Sequence, residues 1–215
     1  MDLPNSTNFN RFVPKEKFYS KTSINSKIRQ SFTNEIERIT WINKISPKTL
    51  NITSGEYGEL QVFEISLKTE DISNALLKHI DTFIPYPILF ILKKPGAVKA
   101  AISFKEPNMK NENLMKVDSY YDTGWKQSLQ LELKGRSVDE IYKNYLYQIA
   151  PGLKAVGQAN TKAAIEISKE HQAITKKIEG LRRMMANEPS IAKRQELARE
   201  RYQLEQYLEN LQGNT

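Results

Sequence analysis

Leu60-Gln-Val-Phe-Glu-Ile-Ser-Leu-Lys68 alternates in polarity, with Phe63, Ile65 and Leu67 on one face and Glu64, Ser66 and Lys68 on the other. That two-residue period is the mark of a half-buried strand. The next segment has helical spacing instead: Ile72, Leu76, Leu77, Ile80 and Phe83 share one stripe behind Asp71, a residue able to cap a helix. Pro85 and Pro87 stop that helix, because proline lacks the backbone N–H and restricts the residue before it. The apolar run Ile88-Leu-Phe-Ile-Leu92 reads as a buried strand, Pro95-Gly96 as a turn, and Val98-Lys-Ala-Ala-Ile-Ser-Phe104 as the returning strand. Strand, helix, strand, strand is therefore the centre of the fold, and it supplies most of the sheet.

Upstream, Ser23 or Asn25 is placed to cap a helix bearing Ile24, Ile28, Phe32 and Ile36. Ile39, Trp41, Asn43 and Ile45 alternate as a strand that Pro47 ends. Downstream, Pro107 to Asn113 reads as a surface loop, Leu114 to Tyr121 as a strand, and Leu129-Gln-Leu-Glu-Leu133 as another short one. Ser137 with Glu140 three residues on has the capping-box spacing, opening a helix with Val138, Ile141, Tyr145, Leu146 and Ile149 on its apolar face. Pro151-Gly152 closes it. The expected fold is an α/β (α+β) domain over residues 1–155, with a mixed sheet of about five to six strands. A C-terminal antiparallel helical hairpin, or coiled coil, is expected over 158–212.

The hairpin expectation rests on a heptad seam. Ala164, Ile167, His171, Ile174, Ile178, Leu181 and Met185 step by three and four, Asn187-Glu-Pro-Ser190 interrupts, and Leu197, Leu204, Leu208 and Leu211 resume. Pro189 cannot continue the first helix but suits the first turn of the second. Arg194 and Arg201 fall where apolar partners are expected, so the seam is poorly filled. Ile174, Ile178, Leu181, Met185, Leu197, Arg201, Leu204 and Leu208 are accordingly the candidate partner-binding residues, for a second copy of this chain or a different protein. Lys176, Lys177, Arg182, Arg183, Lys193 and Arg194 gather around the bend and form the candidate nucleic-acid-binding group.

Composition narrows the function classes. The 215 residues carry a net charge of +7, of which ten Lys/Arg against eight Asp/Glu fall from Asn160 onward, so the basic excess is modest and spread over both parts. The segment Asn8 to Tyr19 interleaves Phe9, Phe12 and Phe18 with Arg11, Lys15 and Lys17, a pattern used for packing or for stacking on bases. No apolar run approaches a membrane span of about 20 residues, and the polar residues after Met1-Asp-Leu-Pro4 lack the apolar core of a signal peptide. There is no cysteine, and His79 and His171 are the only histidines, so thiol chemistry, zinc sites and Ser-His-Asp triads are poorly supported. These features favour a cytoplasmic location. No phosphate-binding glycine loop of either common type is present, and neither a cofactor nor a metal is expected.

One catalytic alternative remains, centred on Glu64, Ser66 and Lys68. An acid and a lysine projecting from one strand face resemble the core of Mg²⁺-dependent restriction nucleases, in which carboxylates hold the metal and the lysine steadies water or phosphate. Ser66 stands where a second carboxylate is required, and the partner acid would have to be Glu56, Glu59 or Asp71. Taken alone, the residues therefore favour no enzyme.

Five pieces of the chain form a further pattern: Phe9-Asn-Arg-Phe-Val-Pro-Lys15, Ile39-Thr-Trp-Ile-Asn-Lys-Ile-Ser-Pro47 with Asn51-Ile52, Val62-Phe-Glu-Ile-Ser-Leu-Lys68, Ile80-Asp-Thr-Phe-Ile-Pro-Tyr-Pro-Ile-Leu-Phe-Ile91, which is the most specific, and the closing hairpin. Together they resemble a bacterial family catalogued as domain of unknown function 4391. Members tend to be encoded beside helicases and DNA methyltransferases in restriction-modification or phage-defence clusters. The resemblance thus implies a non-catalytic accessory subunit that docks a helicase or DNA methyltransferase and touches DNA; the alternatives are the divergent nuclease and a stand-alone DNA-binding protein. Some relatives carry Glu-x-Lys where this chain has Ser66-Leu-Lys68, which weakens the nuclease alternative.

Overall fold

The computed structural model describes residues 1–19, 24–107, 115–151, 153 and 161–213. Ser23, most of the Pro107–Asn113 loop, Gly152 and Asn160 lie outside the described residues, as do the side chains of Ala164, His171 and Leu211. The chain divides into two units, Met1–Ala150 and Pro151–Thr215. Among the described residues no helix is long and apolar enough to cross a membrane.

The first unit is built on a mixed sheet of six strands lying side by side in chain order. They are β1 (Asn8–Phe12), β2 (Ile36–Ile45), β3 (Leu60–Leu67), β4 (Ile88–Lys94), β5 (Ala97–Pro107) and β6 (Met115–Asp122). All neighbours are antiparallel except β3 and β4. Two parallel strands need a crossover, and the helical stripe after Asp71 provides it. The other helices here are α1 (Ser26–Asn34), a single turn α2 (Pro47–Leu50), the crossover α3 (Asn74–Thr82) and α4 (Val138–Ile149).

The alternation in β3 sorts the core. Phe63 and Ile65 join Ile39, Phe90 and Leu92 on one face, where Phe32 of α1 and Leu76, Leu77 and Ile80 of α3 cover them. Helix α4 packs along β5 with Val138, Ile141, Tyr145 and Leu146 buried. At about 25 cal/mol per Å² of apolar surface removed from water, these buried side chains are the main stabilising term.

Local details differ from the sequence-based expectations in three places, each for a chemical reason. Ile36 belongs to β2, not α1: it pairs with Leu67 across the ladder and is fully buried. Asp71 does not cap α3; Ser73 occupies the N-cap position, and the carboxylate of Glu35 accepts from its N–H at 2.7 Å and its hydroxyl at 3.3 Å. Leu129–Leu133 forms no strand. The side-chain amide of Gln148 takes both backbone groups of Glu132, accepting from its N–H at 2.8 Å and donating to its carbonyl at 2.9 Å, where a ladder partner would otherwise bond. The Ser137 cap forms as expected, accepting from the Glu140 N–H at 3.1 Å, whereas the Glu140 carboxylate reaches one residue further back, to the N–H of Arg136.

A charged network crosses the buried side of α3. Asp81 and Lys105 are both fully buried, 2.7 Å apart. The Lys105 ammonium also donates to the carbonyls of Ile84 and Tyr86, each at 2.6 Å, which pins the proline-rich turn after α3. The second Asp81 oxygen accepts from Ser103 at 2.6 Å and Tyr120 at 2.7 Å. Between Ser103 and Lys105 the β5–β6 register shifts. A bulge leaves backbone groups without ladder partners, and the Tyr142 hydroxyl of α4 serves both, accepting from the Lys105 N–H at 2.9 Å and donating to the Ser103 carbonyl at 2.5 Å. Burial lowers the Lys105 pKa against the opposing pull of Asp81. Burial, reinforced by the Asp81 charge, raises those of Tyr120 and Tyr142.

The second unit consists of α5 (Thr161–Asn187) and α6 (Ile191–Gly213), packed against each other across the Pro189 break. Tyr207 donates to Glu170 at 2.8 Å, and Lys177 pairs with Glu200 at 2.8 Å. Seven residues forward on α5 correspond to seven back on α6, which makes the hairpin antiparallel with a heptad register.

Candidate functional site

The sheet supplies the first candidate. Strand pleating turns Glu64 and Ser66 away from the Phe63–Ile65 core face. A cavity of about 490 Å³ opens beside Glu64, with Lys93 and Lys94 on its wall and Ile42, Ile91 and Leu129 among its apolar lining. Glu64 is held by Lys93 of β4 at 2.6 Å. Lys68 lies one residue beyond β3, where its ammonium donates to the carbonyl of Thr33 at 2.9 Å and its N–H to the carbonyl of Glu35. Lys15 donates to the carbonyl of Ile36 close by. A helix C-terminus has unpaired carbonyls and a partial negative charge, so the Lys68 ammonium is accounted for by the end of α1, and that of Lys15 by the first residue of β2. Burial, and then the Lys68 charge, lower the Lys15 pKa. Glu64 and Lys68 thus each have a structural partner. Among the described residues no three His, Asp or Glu side chains come together as a metal-binding group.

The carboxyl ends of β3 and β4, where open α/β sheets place ligands, are occupied by the protein's own side chains. Lys99 donates to both oxygens of Asp71, at 2.7 and 2.8 Å. Lys94 and Lys99 lie 4.4 and 5.0 Å from the centre of the Trp125 ring. Burial raises the Asp71 pKa, but hydrogen bonds from Lys99, the Ile72 N–H and Trp125 outweigh it and leave the carboxyl below its ordinary value. The sequence alone does not reveal this cluster; its members are separated by up to 54 positions, and only the fold juxtaposes them.

The hairpin supplies the second candidate. Ile178 and Leu181 are buried, and Ile174, Met185, Leu197, Leu204 and Leu208 half-buried, along its length. Arg201 fills a heptad position among them. Its Nε is buried with no hydrogen bond, 3.6 Å from Glu205, which Arg182 engages from α5 at 2.9 Å. Arg194 is exposed and donates twice to the carbonyl of Glu188, at 3.2 and 2.9 Å, closing the turn between the helices. It is not a seam residue.

The model of the family described as "Domain of unknown function (DUF4391)" matches residues 1–208. The chain belongs to that family. No curated protein and no solved structure matches it.

In this DUF4391 chain the candidate residues therefore separate into groups. Ile174, Ile178, Leu181, Met185, Leu197, Arg201, Leu204 and Leu208 are withdrawn wholly or in part from solvent. Of the candidate nucleic-acid-binding residues, Lys177 and Arg182 make ion pairs across the hairpin, and Arg183 and Arg194 donate to backbone carbonyls on their own side. Lys176 and Lys193 are exposed. The sequence-based candidates omit Met184, Ile191, Tyr202 and Tyr207, yet these are exposed by 56, 72, 60 and 45%. Their signal was present: Met184 and Tyr207 flank the seam one position before Met185 and Leu208.

Proposed function

We propose that this DUF4391 chain is a cytoplasmic, non-catalytic adaptor that docks a helicase or DNA methyltransferase through its C-terminal hairpin. One observation carries the reading. Of the six large apolar side chains that are exposed among the described residues, four are on the hairpin: Met184, Ile191, Tyr202 and Tyr207. Exposed apolar groups gathered on one element mark interaction surfaces, and tyrosine and methionine are enriched in the cores of protein interfaces. The partner class comes from the gene neighbourhood that the family resemblance implies.

The test is affinity capture from the native host, with intact chain, a truncation ending at Gly157, and a variant carrying M184Q, I191Q, Y202Q and Y207Q. A helicase or methyltransferase recovered with the intact chain and lost with both alterations is the expected result. Equal recovery by all three proteins, or by none, overturns the proposal.

A further inference from the structure

Helices α1 and α3 occupy one face of the sheet; on the other, the strand registers set residues in rows that cross the strands. Val62, Leu89 and Ile102 share a row and are fully buried, with α4 packed along β5. The next row runs Phe12, Thr40, Glu64, Ile91 and Ala100. It is buried at Ile91 and Ala100 but open at its other end, where Phe12 is 57% exposed. The row after it runs Arg38, Ser66, Lys93, Val98 and Lys126, none of them buried. The cavity beside Glu64 opens on these two rows, with Ile91, Lys93 and Val98 in its lining. A second cavity of about 450 Å³ adjoins it at Gln127 and Leu129 and is lined further by Lys126, Ser128 and Gln130.

We infer that this part of the sheet face binds single-stranded nucleic acid. Such sites combine cations that follow the phosphates with an aromatic ring on which a base stacks. Phe12 supplies the ring. The Arg38 guanidinium lies 5.4 Å from its centre, and Arg38 Nε donates to the Thr40 hydroxyl at 3.3 Å. Among the described residues neither Arg38 nor Lys126 has a carboxylate within ion-pairing distance, so both charges are free for phosphate. Four strand spacings separate them, about 19 Å, on the scale of the shortest single-strand sites of roughly four nucleotides. Of the nearby carboxylates, Glu37 acts on Lys15, and Glu64 pairs with Lys93 at 2.6 Å between the two free cations. That central pair selects the ligand. An acidic peptide would bring its own carboxylates against Glu64, whereas an unstacked base offers N–H donors to a carboxylate and acceptors to an ammonium. A duplex keeps its base faces stacked and cannot use Phe12. The site belongs to the first unit and is independent of the docking surface on the hairpin.

The experiment measures fluorescence anisotropy of a short labelled strand of mixed sequence with the intact chain as salt is varied, as DNA, as RNA and as the corresponding duplex. The parent should bind the single strand more tightly than the duplex, and a preference for either sugar supports the site and names its ligand. R38Q/K126Q is expected to lose about 1.4 from the log–log salt slope, at about 0.7 per phosphate contact on a single strand, while R38K/K126R keeps the parent slope. F12A should weaken binding about tenfold or more through lost stacking, with the slope unchanged. Arg11 is exposed on the same strand but alternation turns it to the opposite face from Phe12, so R11Q should change neither quantity. Urea midpoints check that each variant is folded; if R38Q/K126Q is not, F12A and R11Q carry the comparison. No binding of the single strand at low salt, tighter binding of the duplex, or an unchanged slope in folded R38Q/K126Q overturns the inference. So does an unchanged affinity in F12A, or a loss in R11Q equal to that in F12A.

Discussion

Asp81 and Lys105 meet at 2.7 Å with neither side chain accessible to solvent, and together they tie α3, the turn after it, β5 and β6 into one buried network. Removing one member of such a pair leaves a desolvated charge behind, which costs about 3–5 kcal/mol. Lys105→Met should therefore lower the urea midpoint severely. The double variant Asp81→Leu/Lys105→Met should recover much of the loss, because the pair as a whole contributes little net stability. If the double variant is as unstable as the sum of the two single ones, the residues act independently.

Tyr142→Phe removes the hydroxyl that bonds both backbone groups at the β5 bulge. A buried N–H and carbonyl without partners cost about 1–3 kcal/mol. Equilibrium unfolding of this variant measures the loss, and hydrogen exchange at Lys105 should locate it.

The same tyrosines predict a pH limb. Tyr120, Tyr142 and Tyr145 all have raised pKa values in the folded chain, chiefly through burial. Above the ordinary phenol value of 10.0 the unfolded chain loses protons that the folded chain keeps, so stability falls as pH rises. Lys105 has the opposite sign: its pKa is lowered, so it favours folding with rising pH only in the window ending at 10.5. Three buried phenols against the ammonium groups of Lys105 and the more exposed Lys15 give a net decline above about pH 10, measurable by urea midpoints, and Tyr142→Phe should make that decline shallower.

Gly55 has φ +73°, and a Cβ there would lie 2.4 Å from the carboxylate of Asp139. That carboxylate accepts from the N–H groups of Glu56 and Tyr57, at 2.7 and 2.9 Å, and thereby anchors the loop before β3 to α4. Gly55→Ala should destabilise by roughly 2 kcal/mol, from backbone strain together with displacement of Asp139. A change below a few tenths of a kcal/mol in thermal or chemical unfolding would show that the loop relaxes freely.

Arg201→Leu should stabilise the hairpin, by about 1 kcal/mol, because an apolar side chain suits the heptad position better than a guanidinium with an unbonded buried nitrogen. Helix melting followed by circular dichroism gives the answer, a lowered Tm being the contrary outcome.

The strands around Leu60–Lys68 were legible because polarity alternation is a local property, and so was the hairpin, since Pro189 and the spacing of Ile178, Leu181, Leu197 and Leu204 are visible in one dimension. What escaped was created by folding. Gln148 mimics a strand for Glu132 from 16 residues away, Glu35 reaches Ser73 across 38, and Asp81 finds Lys105 only after the crossover closes. The basic residues of the hairpin take different partners for a related reason. Lys176 and Lys177 are neighbours along the chain, yet one faces outward and the other reaches Glu200. Proximity in sequence placed them in one patch around the bend; helical phase separates them.

The contacts Glu170–Tyr207 and Lys177–Glu200 govern how this hairpin tolerates change in length. An insertion in one helix alone would slide every later pair out of phase, whereas seven residues added to each, at matched points, would restore all of them. Such paired additions would carry the Pro189 turn about 10.5 Å further along the helix axis. The hairpin is thus a ruler that lengthens only in whole divisions.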